Sequence, residues 1–523
     1  MTDHPTLPEL IARHAAETPD RIALIAAEGG EITWAGLKDR AKVWGAWLAA
    51  RGVKSGDHVA TLVPNSIEAN LCWLGCIAAG AIEVSVNANF RGDWLRNALA
   101  VSGARTVVCA DRYLAGLLEV LDGTAIERIL VFDGTSDTVG SPSVTIARES
   151  PEALDLEPLA ETFRPAQHDI ACVLYTSGTT GASKAVQIPW RQLSRLMDVD
   201  HYGDGQQVFY CPYAPYHLSG RNALYRGALF NGTTVIREAF STSEFWDDVK
   251  RYGVTWTILY PATTRFLTGL PASSEDSRST LKWVLMCPLI PEIDEVKQRY
   301  GLNIYSVYGM TEICTPFGVA PEYADAAHVG CCGRPLPGTE ARIVDANDYE
   351  VAEGEAGELV VRSDSAWAFT PGYLGAPEAT AKAWRNGWFH TGDVMRKDAD
   401  GLYYYVDRAK DMIRRRGENI SSVELEAELL RCPGVAEAAA FGVPSELGDE
   451  EVMAVVRSGG GKIDPASLVA VLQARVPRYA VPRFVRIVSE FPRTPATQRI
   501  EKHRLKAEGV TADTWENPAM VRR

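Results

Sequence analysis

The sequence predicts an α/β protein in which a large N-terminal domain of stacked α/β sheets spans 1–409 and a small α+β domain spans 410–523. Three observations carry this. Apolar strand-like runs alternate with helical patterns through the first two thirds, which is the signature of mainly parallel sheets. From about Arg334 the runs shorten and Gly, Asn and Asp turns separate them, so a β-rich subdomain is expected over about 334–409. Beyond Lys410 a helix, two strands and another helix follow in a stretch of domain size.

In chain order, 34–50 has helical spacing (Trp34, Leu37, Ala41, Trp44, Leu48) and stops before Gly52, a suitable C-cap. Strands are expected at 59–63, 106–109, 128–132 and 170–175. The apolar stretch 69–86 is interrupted by Asn70, Gly75, Gly80 and Glu83, so it reads as a buried helix running into a strand, with no membrane span. Further strands are expected at 207–210, 233–236, 257–260, 282–286 and 303–307. The β-rich part offers 340–345, 357–362 and 401–406, and the last domain a helix at 422–430, strands at 436–441 and 451–457, and a helix at 465–475.

With 46% hydrophobic and 23% charged residues, the 523-residue chain has ample core for a soluble protein. A net charge of −14 argues against nucleic acid and anionic membranes as general partners. The ten cysteines show no paired CxxC spacing, which suits reduced buried thiols and a cytoplasmic location. The first residues show no basic segment followed by an apolar one, so no export signal is read.

The strand at 170–175 runs into Tyr175-Thr176-Ser177-Gly178-Thr179-Thr180-Gly181-Ala182-Ser183-Lys184. Five hydroxyls, two glycines and a lysine beyond a strand can turn N–H and O–H groups toward a polyphosphate, with Lys184 supplying charge. An ordinary Ser/Gly surface turn would look similar. A Walker loop would need the lysine directly after the second glycine, and here it comes three residues later.

Two further segments suit a nucleotide. In Tyr308-Gly309-Met310-Thr311-Glu312, past the strand at 303–307, Tyr308 can stack on a base, Thr311 can bond a phosphate oxygen and Glu312 can hold Mg²⁺. The same residues would also make a tyrosine-capped strand with a solvated glutamate. In Trp388-Phe389-His390-Thr391-Gly392-Asp393, an aspartate at a turn can accept from two vicinal ribose hydroxyls, or close a hairpin as an Asx turn.

Taken together these segments resemble the adenylate-forming enzymes, the superfamily of acyl-CoA synthetases, luciferases and adenylation domains. The loop matches the family's YTSGTTGxPKG except at Ser183 and Ala185, residues 308–312 match YGxTE, and residues 388–393 match the end of GWFHTGD. The likeness spans about 7–506, and its texture at 86–94 and 245–249 is similar to carnitine/crotonobetaine-CoA ligases. It implies an ATP-dependent acyl-CoA synthetase: a carboxylic acid becomes acyl-AMP, then passes to coenzyme A, with Mg²⁺ required. It further implies that Thr176, Ser177, Gly178, Thr179, Thr180, Gly181 and Lys184 cradle phosphates, that Tyr308, Gly309 and Thr311 line the nucleotide, and that Asp393 and Arg408 take the ribose. Asp407-Arg408-Ala409-Lys410-Asp411 resembles the family hinge, making Lys410 the pivot of a mobile C-terminal domain. Gly417, Glu418 and Asn419 match the segment that meets coenzyme A. Arg414, Arg415 and Arg416 suit its phosphates or a solvated basic face. Residues 214–220 resemble PLFHxxG, which implies an acid pocket with Tyr216, His217, Tyr260 and Met286; Tyr213, Tyr225 and Trp283 suggest further aromatic lining, though core packing would explain at least half of these aromatics. A homodimer is compatible with this reading.

Two departures stand out. Met286-Cys287-Pro288-Leu289 replaces a glycine-rich turn and is about two residues shorter. In 491–502 the family pattern PxTPxGKxxK aligns Arg499 with the lysine that stabilises charge during adenylation. A guanidinium keeps that charge but is a wide planar fork, so the exchange is not conservative. Catalytic roles are therefore expected of Lys184, Thr311, Glu312 and Arg499. Transfer to a carrier protein, or nucleotide binding without turnover, are the alternatives.

Overall fold

The computed structural model describes residues 5–134, 139–140, 144–176, 183–195, 207–408, 411–415, 418–444, 450–473, 475–476, 478–494 and 498–520, with side chains omitted at 139–140, 414 and 418–419. Two compact units emerge: residues 1–340 with 362–387, and residues 341–361 with 388–523.

The first unit contains two sheets. One has eight strands in the order Ala185–Pro189, Ile170–Tyr175, Ile82–Ser85, His58–Leu62, Thr106–Cys109, Arg128–Val131, Thr145–Arg148, Val139–Gly140. Its inner strands are parallel, as the alternating pattern predicts, and its two end pairs are antiparallel. In the other, five strands run parallel in the order Thr233–Ile236, Val208–Cys211, Trp256–Leu259, Trp283–Met286, Asn303–Met310. Burial on both faces explains why these strands read as unbroken apolar runs rather than alternating ones.

The helix Trp34–Ala50 lies against Ile67–Ala78 at a contact only glycines permit. A Cβ on Gly75 would sit 2.6 Å from the Trp44 Cβ, and one on Gly45 3.1 Å from that of Ala78. The close approach lets Trp44, Trp47 and Trp73 fill one core with Trp34 and Trp190, all essentially inaccessible. Burial of such large side chains contributes on the order of 2–3 kcal/mol each. The stretch 69–86 is, as read, a buried helix followed by the strand Ile82–Ser85. Among the described residues no helix is long and apolar enough to cross a membrane.

In the second unit Gly357–Ser363, Phe389–Lys397 and Tyr403–Arg408 pair antiparallel. A further sheet joins Val435–Pro444 to Glu450–Ser458, then Phe484–Val488 and Trp515–Glu516. The helices Ser422–Leu430 and Pro465–Gln473 cover it, burying Leu425, Leu429, Leu468 and Leu472. Ser421 caps the first by accepting the Glu424 N–H at 3.1 Å.

One expectation is corrected here. Asp393 is not in a turn: it lies inside the strand Phe389–Lys397, directly opposite Arg408. Gly392 has φ +70°, so a local kink resembles turn chemistry in sequence while the ladder continues through it.

Candidate functional site

In the first unit, Ile170–Tyr175 and Ala185–Pro189 form an antiparallel hairpin with Tyr175 opposite Ala185. Its mouth is closed by Thr176 and Lys184: the Thr176 N–H donates to the Lys184 carbonyl at 3.0 Å, and the Lys184 N–H to Thr176 Oγ1 at 3.3 Å. The hairpin therefore fixes both ends of the hydroxyl-rich loop. Ser177, Gly178, Thr179, Thr180 and Gly181 lie outside the described residues.

A second hairpin, Asn303–Met310 with Cys314–Val319, carries Thr311 and Glu312 in its three-residue turn. The turn is tight enough that a Cβ on Gly309 would come within 1.8 Å of the Cys314 carbonyl oxygen. The glycine between Tyr308 and Met310 is thus a steric requirement. Gln192 Nε2 donates to the Thr311 carbonyl at 2.7 Å, and the Thr370 N–H donates to the Glu312 carbonyl at 2.8 Å. Glu312 is nearly buried, and Oε1 of its carboxylate accepts the Tyr373 hydroxyl at 2.9 Å. The same Tyr373 ring lies under the Lys184 ammonium, 4.6 Å from nitrogen to centroid. Lys184 and Glu312 are thereby brought to one ring from segments 128 residues apart in sequence (312 − 184). Tyr308 is mostly covered, its ring edge-on to Phe317 at 5.8 Å.

The predicted acid-pocket residues divide. Asn89 donates to the Tyr216 hydroxyl at 2.8 Å, and Tyr216 packs on His217, which precedes the short helix Leu218–Arg221. Tyr260 caps the helix Pro261–Thr268 and meets Tyr213 edge-on at 4.9 Å. Met286 is fully buried at the end of its strand, followed by a cis Cys287–Pro288 bond. Of the two readings for Tyr225, core packing holds and pocket lining does not: it has no exposure, its hydroxyl donates to the Pro5 carbonyl at 2.5 Å, and it packs edge-on against Trp190. Trp283 packs in the same aromatic cluster as Tyr213, Tyr260 and Tyr305.

In the second unit, Arg408 Nε meets Asp393 Oδ1 at 2.6 Å; Asp393 is 2% exposed and Arg408 37%. The backbone N–H of Asp393 donates to Thr391 Oγ1, whose hydroxyl donates to the Leu359 carbonyl. An aspartate fixed this way beside an arginine presents paired acceptor and donor groups suited to ribose. Tyr405 is held as a neutral phenol, its pKa pushed up by burial and by the Asp393 charge.

The basic residues of this unit sort by burial. Arg415 is not available to coenzyme A: it is inaccessible, paired with Glu451 at 2.5 Å, and donates to the Tyr479 and Val481 carbonyls. A buried guanidinium with its anion and two carbonyls is a structural element, which for Arg415 overturns both the coenzyme A reading and the solvated basic face. Lys502 is likewise committed, pairing with Glu426 at 2.6 Å and donating to Ser422 Oγ at 2.7 Å. That network also fastens Asp407, which accepts from the Ser422 N–H at 2.5 Å; burial pushes the Asp407 and Glu426 carboxyls up, against the pull of Lys502. Arg499 differs. It is exposed, its backbone N–H is tied to Thr494 Oγ1 at 3.1 Å, and among the described residues its guanidinium makes no ion pair. Lys410 and Gly417 lie outside the described residues; Glu418 and Asn419 start a strand that pairs with Ile413–Arg415.

Sequence reasoning missed Tyr373, Thr370 and Gln192. They carry no periodic or motif signal of their own and matter only through contacts made across the fold.

Residues 11–374 match the AMP-binding enzyme family, and residues 424–497 match the AMP-binding enzyme C-terminal domain. The sulfoacetate–CoA ligase of Cupriavidus necator is 32% identical over 501 residues, covering 94% of this chain and 96% of that protein. The crotonobetaine/carnitine–CoA ligase of Citrobacter koseri is 28% identical over 488 residues, 90% and 93% of the two chains. ATP-bound MatB from Rhodopseudomonas palustris superposes with a TM-score of 0.84 at 26% identity, over 96% of this chain and 98% of that one. The chain belongs to the AMP-binding enzyme family. Within it, near full-length likeness to CoA ligases makes this an ATP-dependent, AMP-forming acid–CoA ligase.

Proposed function

We propose that the two hairpin ends of the first unit bind the ATP phosphates, that Asp393 and Arg408 bind the ribose, and that Arg499 stabilises adenylation. The observation carrying this is the gathering of Lys184 and the Glu312 carboxylate on Tyr373. An acid carboxylate oxygen attacks the α-phosphorus and pyrophosphate departs. Lys184 and the hydroxyls of Thr176 and Thr311 meet the charge that develops on phosphate oxygens, the main demand of phosphoryl-transfer chemistry. The coenzyme A sulfur then attacks the acyl carbonyl and AMP leaves with the original carboxylate oxygen. No side-chain nucleophile is needed.

Mg²⁺ fits the residues present. Among the described residues no cluster of three or more ligands would cage a metal. A single nearly buried carboxylate, Glu312, beside a phosphate-binding hairpin suits an ion that takes one protein ligand, substrate phosphates and water. Bound there, Mg²⁺ would supply charge neutralisation across the phosphates.

Lys410 is proposed as the pivot by which the domain 410–523 serves the two half-reactions in turn, with Gly417, Glu418 and Asn419 meeting the pantetheine arm. Tyr216, His217, Tyr260 and Met286 are proposed to shape the acid pocket. A cytoplasmic location accords with ten free thiols, and a homodimer is testable by sedimentation. Thioester formation with ATP, Mg²⁺ and coenzyme A across short sulfonated, quaternary-ammonium and aromatic acids tests the reading. One acid supporting pyrophosphate release and thioester in equal amounts is expected. ATP binding without release for any acid would favour a nucleotide-binding protein, and adenylate without thioester would favour a carrier-protein acceptor.

A further inference from the structure

We propose that Tyr373 is a positioning residue that holds the Glu312 carboxylate and the Lys184 ammonium at the two ends of one phenol, apart from each other and aimed at the same phosphates. This inference rests on the reading of Glu312 and Lys184 given above.

The geometry is specific. The Tyr373 hydroxyl donates to Glu312 Oε1 at 2.9 Å in a buried contact, a charge-assisted bond that favours the ionised carboxylate and fixes its plane. The ring face carries the Lys184 ammonium at 4.6 Å from the centroid, within cation–π range. Among the described residues Lys184 has no carboxylate ion pair. The ring face leaves the ammonium N–H donors of Lys184 for phosphate oxygens, and the hydroxyl occupies Oε1 of Glu312 with a neutral donor that a cation can share.

Tyr373 is itself firmly placed. Residues 370–374 are strapped across the edge strand Ala185–Pro189: the Gln187 N–H donates to the Gly372 carbonyl at 3.2 Å, the Leu374 N–H to Ala185 at 2.8 Å, and Val186 bridges Tyr373. The Tyr373 N–H donates to Thr380 Oγ1 at 3.0 Å, and a Cβ on Gly372 would meet the Thr380 methyl at 2.5 Å. The strap also secures Glu312 from behind, through the Thr370 N–H. Burial first, then the Glu312 charge, pushes the phenol pKa up, so the hydroxyl stays protonated and remains a donor. One segment thus ties the loop-bearing hairpin to the turn that presents Glu312.

The test uses the full chain with an acid that supports turnover. Tyr373→Phe keeps the ring under Lys184 and removes the hydroxyl. It should lower the rate of pyrophosphate release about tenfold, the size of one charge-assisted hydrogen bond, and raise the half-saturating Mg²⁺ concentration several-fold. ATP affinity measured calorimetrically without Mg²⁺ should stay within about twofold, whereas Tyr373→Leu should weaken it by about threefold through Lys184. On a Glu312→Gln background, Tyr373→Phe should slow the reaction no further, and the two melting-temperature shifts should be less than additive. Wild-type Mg²⁺ dependence for Tyr373→Phe, or rate losses that multiply with Glu312→Gln, would overturn the inference while leaving the site reading intact. A Glu312→Gln protein with unchanged pyrophosphate release would overturn both.

Discussion

The charged residues singled out in the two units are held by different kinds of partner. In the first, Lys184 and Glu312 are held by groups that leave them usable: a ring face, a phenol hydroxyl and backbone donors. In the second, two basic residues are committed to carboxylates, Arg415 to buried Glu451 and Lys502 to half-buried Glu426. Arg499 differs from these two, exposed and without an ion pair among the described residues. The lesson is that a basic residue's role depends on whether the fold has already given it an anion. Chemistry is to be sought at charges positioned by neutral or weakly competing groups.

The largest expected effect is at Glu312. Glu312→Gln should cut pyrophosphate release by about 10²- to 10³-fold, comparable to losing one electrostatic stabiliser, with folding retained. Next is Arg415, where the contrast predicts a loss of stability instead of activity. Arg415→Met should cost about 3 kcal/mol in denaturant unfolding because it takes from buried Glu451 its nearest cation, leaving Arg483 at 3.7 Å, and Arg415→Met with Glu451→Leu should recover much of it. A stable Arg415→Met protein with a raised KM for coenzyme A would instead return this residue to the thioester step. Asp393→Asn, which removes charge beside Arg408, should raise the KM for ATP about tenfold with a smaller change in KM for the acid.

The smallest effect concerns pH. Glu149 is held below its ordinary range chiefly by its hydrogen bond from Arg51, at 2.5 Å. A folded pKa below the unfolded value gives stability present above about 4.5, the ordinary value, and lost as pH falls through the lower folded value. Glu149→Gln should therefore be less stable than wild type at pH 7, by roughly 1 kcal/mol or less for a partly solvated pair. The difference should shrink in melts as the pH falls below about 4.5. A difference independent of pH would place the effect in packing.

Much of this was legible in the chain. The strands of the first unit are short apolar runs bounded by helical patterns, and local patterning is enough to find them. The loop ending at Lys184 and the turn at Thr311–Glu312 were legible because hydroxyls, glycines and a carboxylate sit at strand ends. Tyr373 was not, since its partner Glu312 lies 61 residues away and only the folded strap brings them together. Arg415 misled for the same reason. A triple arginine looks like a phosphate site or a wet face until Glu451 arrives from another strand. At Asp393 the glycine at φ +70° imitates a turn, and only cross-strand pairing with Arg408 shows a continuous ladder.

The central claim is that exposed Arg499 supplies the cation for adenylation. Arg499→Ala, assayed separately for pyrophosphate release and for thioester formation from supplied acyl-adenylate, tests it directly. The account predicts a loss of about 10²-fold in the first step and less than about threefold in the second, with partial recovery in Arg499→Lys. Equal losses in both steps, or none in either, would contradict it.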